Sequence, residues 1–315
     1  RSSSSAASDV YKRQALVGPT TSTFSTTEVV NAGVPTRLKT NIWTPRFVFE
    51  YTPNDSLLLF ASATKGFKSG GWNARGVNAD QLQAFGAEKT WSYETGFKSE
   101  WLDQRLRVNL TGFYADTKDF QLPAAFTDEN GSIIFITRNF ADLEVYGLEA
   151  EVQAALTSYL NIYSTLGLQS ADYRNPDPAI LEQQLNCLNN ATQCGEGIIT
   201  PDGEISEPVR TPDITWTTGF EAHIPTGLGR SEITLHSAVT HVSDHLIAVA
   251  NTPEGFAPSR WVVNSSIGFQ SDENLWGLYL ECANCLGETY PASALAGFVY
   301  YNEPSTWRIR TRLRF

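Results

Sequence analysis

From Trp43 onward, apolar side chains recur at every second position, the repeat of a β-strand whose two faces meet different surroundings. In the stretch 105–117, Leu106, Val108, Leu110, Gly112 and Tyr114 share one face, while Arg105, Arg107, Asn109 and Thr111 share the other. Trp91, Tyr93, Thr95, Phe97, Ser99 and Trp101 alternate in the same way with Ser92, Glu94, Gly96, Lys98 and Glu100. The contrast returns where Tyr146, Leu148, Ala150, Val152, Ala154 and Leu156 interleave with Val145, Gly147, Glu149, Glu151 and Gln153. It returns again where Trp261, Val263, Ser265, Ile267 and Phe269 interleave with Arg260, Val262, Asn264, Ser266, Gly268 and Gln270. The last segment is the sharpest, with Trp307, Ile309, Thr311, Leu313 and Phe315 set against Arg308, Arg310, Arg312 and Arg314. Helical spacing is scarce. The pattern predicts an all-β protein of eleven strands, with a weaker twelfth candidate over 23–30.

The connections carry a second regularity. Short links fall at 52–56, 102–104, 157–158, 225–230 and 271–274, and long ones at 66–90, 121–132, 172–210, 244–259 and 286–304. Short and long alternate throughout if 133–156 is one long strand with a kink or bulge over 139–142, so a bulge is expected there. In an up-and-down antiparallel sheet this order puts every short turn at one rim and every long loop at the other, the anatomy of an outer-membrane barrel. Most of these strands reach the roughly 9 to 11 residues that a tilted strand needs to cross a bilayer. Tyr51, Trp91, Trp101, Tyr159, Trp216, Trp261 and Trp307 stand at strand ends, where interfacial aromatic girdles lie. A soluble sandwich would mix loop lengths at both ends. The predicted fold is therefore an antiparallel transmembrane β-barrel, closed because an open sheet edge in hydrocarbon leaves backbone groups unsatisfied.

Composition narrows the function. The 315 residues are 41% hydrophobic, which excludes pure disorder. With 23 Lys plus Arg against 34 Asp plus Glu, the net charge of −11 disfavours a general attraction to nucleic acid. The longest uncharged stretch, 152–171, is broken by Gln153, Thr157, Ser158, Asn161 and further polar residues, too polar for a membrane-spanning helix. The chain has no Met and starts with Arg, and it reads as a fragment. Residues 1–14, a Ser/Ala cluster ending in Lys12, Arg13 and Gln14, share no pattern with the rest and lack the apolar core of a signal peptide. They are expected to be a non-native leader, similar to translated adaptor sequence, with 15–315 forming the barrel part.

Six segments, taken in order, carry a family resemblance. Leu57 begins a strand that runs into Gly66, Phe67, Lys68, Ser69, Gly70, Gly71, Trp72 and Asn73; Ser92, Tyr93, Glu94, Thr95, Gly96, Phe97 and Lys98 mark another. A third strand ends in Phe120 and Gln121, and Tyr146, Gly147, Leu148, Glu149, Ala150 and Glu151 mark a fourth. Asn284, Cys285, Leu286, Gly287, Glu288, Thr289 and Tyr290 open a loop, and Phe315 closes the chain as a terminal aromatic. From residue 43 to 315 the chain resembles the C-terminal half of the barrel of a TonB-dependent outer-membrane receptor. The resemblance implies a 22-stranded barrel with an N-terminal plug, of which this chain holds the second half of the wall and neither the plug nor the TonB-contact segment. It implies TonB–ExbB–ExbD as partners through that missing part, contact with outer-membrane lipid, and a bulky cargo such as a ferric siderophore, with no cofactor. It also implies that Trp307, Ile309, Leu313 and Phe315 form the signal read by the barrel-assembly machinery. The alternatives are a passive 12-stranded pore and a secreted carbohydrate-binding β protein.

Candidate chemistry is sparse. Trp72, Arg308, Arg310 and Arg312 are the candidates for cargo contact, the arginines through a basic lining that attracts an anionic chelate or, alternatively, through pairing with neighbouring acids. An oxidising compartment favours a disulfide between Cys187 and Cys194 in the longest loop; the alternative is two free thiols. Cys282 and Cys285 end a strand rather than open a helix, against a thioredoxin-like role. His241, Asp244 and His245 suggest metal ligands, but they lack a further fixed partner, and no metal is expected. Gly66, Gly70, Gly71 and Gly76 match no phosphate-loop spacing and are read as a loop. Glu149 and Glu151 are expected to face the lumen among basic groups, and no catalytic constellation stands out.

Overall fold

The computed structural model describes residues 26–73, 82–127, 133–191, 194–249, 255–271, 275–295 and 298–314. The expected leader 1–14 and Phe315 lie outside them. Helix α1 (Thr26–Asn31) is followed by β1 (Arg46–Asn54) and β2 (Leu57–Lys68). A small hairpin of β3 (Gly71–Trp72) and β4 (Ala84–Phe85) leads to β5 (Glu88–Trp101). Next come β6 (Leu106–Thr127), β7 (Ile133–Ala155), β8 (Leu160–Arg174) and helix α2 (Pro178–Asn190). After β9 (Ile214–Pro225) and β10 (Glu232–Val242), β11 (His245–Leu246) and β12 (Phe256–Ala257) form a second small hairpin. Then β13 (Arg260–Gln270) and β14 (Trp276–Ala283) precede a third hairpin, β15 (Pro291–Leu295) and β16 (Phe298–Tyr301), and the wall ends with β17 (Thr306–Leu313).

Eleven strands form one sheet in the order β1-β2-β5-β6-β7-β8-β9-β10-β13-β14-β17, each neighbour following the last in sequence and pairing antiparallel. The predicted eleven-strand wall is therefore present, and it is open, with β1 and β17 as its two edges. The first and last of eleven antiparallel strands run in the same direction. The links expected to be short, 52–56, 102–104, 157–158, 225–230 and 271–274, all lie at one rim. The other rim carries α1, α2 and the three small hairpins.

The register explains why the two-residue pattern is so clean. Leu59, Phe97, Leu110, Ala150, Leu166, Trp216, His241 and Trp261 are direct partners across successive strands and form one continuous, largely apolar row. One residue away, Leu58, Lys98, Asn109, Glu151, Thr165, Thr217, Thr240 and Val262 form a mostly polar row on the opposite face. Both rows climb, from the short-turn end of β2 to the long-loop end of β10. That stagger is what tilted strands of a closed barrel require. Tyr51, Trp101 and Tyr159 stand at the short-turn ends of their strands, joined there by Trp276, and Trp91, Trp216, Trp261 and Trp307 stand at the long-loop ends. The two sets form the two expected girdles.

Four expectations are corrected. Residues 26–31, in the weak twelfth-strand candidate, form α1, because Val29 turns into a small apolar cluster with Val34 and Leu82. The link 121–132 is shorter than expected: β6 and β7 continue as a paired ladder out to Thr127 and Ile133. The glycine loop is partly strand, with Gly66 inside β2 and Gly71 in β3; Gly76 lies outside the described residues. The link 172–210 contains the 13-residue helix α2, which the alternation of Pro176 and Pro178 disguised as loop. Asp177 caps it by accepting from the Ala179 N–H at 2.9 Å, and Pro178 sits at the first helical position, where its missing N–H costs nothing.

The bulge expected over 139–142 is there, and it is double. Two residues of β6, Lys118 and Asp119, oppose Asp142, and Asp119 takes a left-handed φ of 57°. One step further Phe140 is the extra residue on β7, which restores the register. The Phe140 side chain is fully buried, and its carbonyl accepts the Asp177 N–H at 2.8 Å, so the bulge is also the anchor of α2.

Candidate functional site

The larger of two apolar cores among the described residues lies above the wall, at the long-loop rim. Leu122 and Ala124 from the β6 extension, Phe140, Ile180 and Cys187 of α2, and Ile198 and Ile199 close on one another, with Phe120, Tyr173 and Val249 packed around them. Cys187 and Cys194 are joined by a disulfide across a Cα separation of 4.9 Å, and Ala191 ends α2 in a left-handed conformation with φ 54°. Gln183 donates to the Glu196 carbonyl at 2.9 Å, tying the helix to the loop that follows. The loop between β8 and β9 is thus a small folded unit seated on the extended β6–β7 ladder.

Side-chain amides hold the neighbouring loops. Asn73 Nδ2 donates to the carbonyls of Gln83 and Thr137 at 3.4 and 3.1 Å, and its Oδ1 accepts the Thr137 N–H at 2.6 Å. Gln121 Nε2 is shared among the carbonyls of Lys68, Ser69 and Gly86 at 3.3, 3.1 and 2.8 Å. Asn139 Oδ1 accepts the Gly86 N–H at 2.7 Å. At the other end, Asn284 Nδ2 donates to the carbonyls of Glu288 and Glu303 at 2.7 and 3.2 Å, and Asn302 Oδ1 accepts the Tyr290 N–H at 2.8 Å. These amides replace strand pairing where the ladder has stopped, and Asn73, Gln121 and Asn284 belong to the sequence motifs. Their role was invisible in the sequence, which shows a polar residue but not the backbone groups waiting for it.

Trp72 is half-buried against the cluster of Val29, Val34 and Leu82, and its indole Nε1 donates to the Pro35 carbonyl at 2.6 Å. Beside it, a cleft of about 270 Å³ opens between residues 38–42 and the β4 segment, with Lys39, Lys89 and Phe85 in its lining. The arginines lie on the polar face of β17. Arg310 Nε donates to Glu281 Oε1 at 2.7 Å and its guanidinium lies 4.3 Å over the Tyr279 ring, while Arg308 is 3.9 Å from the other Glu281 oxygen. Arg312 stands opposite Gly277. Trp72 and the arginines are therefore placed in different parts of the molecule, the first in the rim and the others on the wall.

The remaining candidates disperse. His241 packs on Trp261 at 4.4 Å and its Nδ1 is 3.1 Å from the Arg260 carbonyl, whereas His245 Nδ1 bonds the Ser243 carbonyl at 2.9 Å. Among the described residues no three His, Cys, Asp or Glu side chains are grouped as a metal ion needs. Cys282 and Cys285 are also linked, at a Cα separation of 5.5 Å. Glu151 is held by Asn109 at 3.0 Å and Gln153 at 2.6 Å, amides rather than the basic groups expected.

The sequence model of the family described as TonB dependent receptor-like, beta-barrel, matches residues 17–285. The chain belongs to this TonB-dependent receptor family. Solved receptors share its fold. The ferric yersiniabactin uptake receptor FyuA from Yersinia pestis superposes with a TM-score of 0.65 at 18% identity, over 86% of this chain and 37% of FyuA. The ferric-catecholate import receptor Fiu from E. coli K12 gives 0.60 at 17% identity, over 88% of this chain and 35% of Fiu. The pyoverdine receptor FpvA from Pseudomonas aeruginosa PAO1, bound to pyoverdine, gives 0.60 at 14%, over 88% and 36%. The chain spans little more than a third of the length of these receptors. In a TonB-dependent receptor barrel the apolar face of the eleven strands meets lipid and the polar face meets the lumen, so Glu281, Arg308 and Arg310 are luminal.

Proposed function

We propose that this chain is part of the wall of an outer-membrane receptor that takes up a bulky, scarce nutrient, with a ferric siderophore as its cargo and TonB–ExbB–ExbD as its energy source. The observation that carries the reading is the division of the molecule into a two-faced wall and a rim of folded loops, in a family of TonB-dependent receptors. The receptors named for yersiniabactin, catecholates and pyoverdine support an iron chelate as the cargo class. The rim loops capture the chelate, Trp72 offers an aromatic surface, and Arg308, Arg310 and Arg312 draw an anionic group into the lumen. Trp307, Ile309, Leu313 and Phe315 present the terminal strand to the barrel-assembly machinery. A passive pore closed by this chain alone is disfavoured, because eleven antiparallel strands bring two edges of the same direction together.

The test is growth under iron limitation. The complete reading frame is expressed in a strain without its own ferric siderophore receptors, with and without TonB. Growth on at least one ferric siderophore, abolished by loss of TonB, is the expected result. Uptake indifferent to TonB, with osmotic swelling of liposomes carrying the protein, replaces the receptor by a passive pore.

A further inference from the structure

Helix α2 has two apolar faces, and only one of them is used. Ile180 and Cys187 turn into the rim core together with Gln183. At about 100° per residue, Leu181, Leu185 and Leu188 line up as a second stripe. They are 43%, 58% and 60% exposed. A single surface leucine needs no explanation, but three in register on one helix, rimmed by polar groups, mark a contact surface.

The shape and the charge around the stripe select its occupant. A helix surface is convex and does not enclose a small molecule, whereas anchors spaced i, i+4 and i+7 suit another helix or a polypeptide groove. On one side Gln184 donates to the Gly203 carbonyl at 3.0 Å and Leu188 lies against Gly203, which brings the exposed Asp202 and Glu204 alongside. On the other side is the exposed Glu182. Between β8 and β9 the chain carries Asp177, Glu182, Glu196, Asp202, Glu204, Glu207 and Asp213 against the single base Arg210. A second copy would set like charges face to face, and an anionic lipid surface is repelled for the same reason. The helix also rises from the middle of the eleven-strand sheet, away from its edge strands β1 and β17.

We propose that the stripe of Leu181, Leu185 and Leu188 docks a basic amphipathic helix of a polypeptide partner. The leucines take its apolar face, and Glu182, Asp202 and Glu204 take its cations. This site is separate from the luminal arginines and does not depend on what the receptor transports.

The protein in nanodiscs of zwitterionic phosphatidylcholine is titrated with a fluorescent Leu/Lys amphipathic helical peptide and with a Leu/Glu peptide of the same apolar face. The Leu/Lys peptide is expected to bind at least about tenfold more tightly, and Leu185→Gln with Leu188→Gln to weaken it by about tenfold while circular dichroism is unchanged. Glu182→Gln with Asp202→Asn is expected to flatten the salt dependence of binding. Equal binding of the two peptides, or full binding by the double leucine variant, overturns the proposal. A separate readout uses cells making the complete receptor, in which Leu185→Cys is exposed to an impermeant maleimide. Labelling supports a free surface; protection means that another part of the receptor, or a second copy, covers the helix, and also overturns it.

Discussion

Phe113 stands directly opposite Gly147 in the β6–β7 ladder, and its ring occupies the space that a Gly147 side chain would need, with Cζ 2.7 Å from the position of a Cβ. The same arrangement recurs where Tyr163 faces Gly219 and Tyr279 faces Gly268, each on the luminal face. A ring laid over a glycine closes the gap that a missing side chain leaves in a sheet and fixes the pairing of two strands. This gives the glycine of the Tyr146, Gly147, Leu148 motif a physical reason. Gly147→Ala drives a methyl group into both the ring and the Leu168 carbonyl, and is expected to cost roughly 1–3 kcal/mol. Gly112→Ala, whose added Cβ meets nothing closer than 3.9 Å, serves as the control and stays within about 0.5 kcal/mol. Urea unfolding of the refolded protein in lipid measures both.

Gln121→Ala removes the amide that three carbonyls share. The three carbonyls belong to exposed residues and that of Gly86 keeps Asn139 Nδ2 as a donor at 3.2 Å, so the loss costs about 0.5–1.5 kcal/mol, felt locally in the β3–β4 hairpin and hardly in the wall. Hydrogen–deuterium exchange should show faster exchange over 82–87 with unchanged protection in β5. Equal loss of protection in both would mean that Gln121 holds the wall itself.

Reducing the Cys187 to Cys194 link, or replacing both by Ala, frees a loop closed over a sequence separation of 7. Loop-closure entropy puts its contribution at about 2–3 kcal/mol. Limited proteolysis followed by mass spectrometry should then cut within α2, while the eleven wall strands stay intact. A cleavage pattern indifferent to reductant would contradict this.

Glu281 neutralises Arg308 and Arg310 on a half-exposed part of the luminal wall, where an ion pair is worth about 0–1 kcal/mol. Glu281→Gln is expected to leave thermal unfolding almost unchanged and to tighten binding of an anionic chelate, whereas Arg312→Gln weakens it. Titration calorimetry at two salt concentrations distinguishes these effects, which shrink as salt rises.

The wall was legible because lipid and lumen impose opposite demands on alternate residues, and those demands are written position by position. The rim was not. α2 hid behind Pro176 and Pro178, although Asp177 followed by Pro178 is a helix start as much as a loop signal. Residues 26–31 are too few to show a helical period, and the β6–β7 extension lacks a steady alternation because its two faces meet loops rather than lipid and water. The luminal position of the arginines followed from alternation, but their shared partner Glu281 lies on another strand, and only register brings it opposite Arg308.

By itself the sequence determined the number of wall strands, the rim at which each connection falls, the face each residue takes and the place of the bulge. These are properties of local alternation and chain length, which survive without any knowledge of neighbours. The tertiary structure decided the register and its stagger, the pairing of rings with glycines, the amides that hold the loops, and the core that folds α2 onto the bulge at Phe140. Each of those depends on which distant residue arrives within a few ångströms, and no one-dimensional period records that.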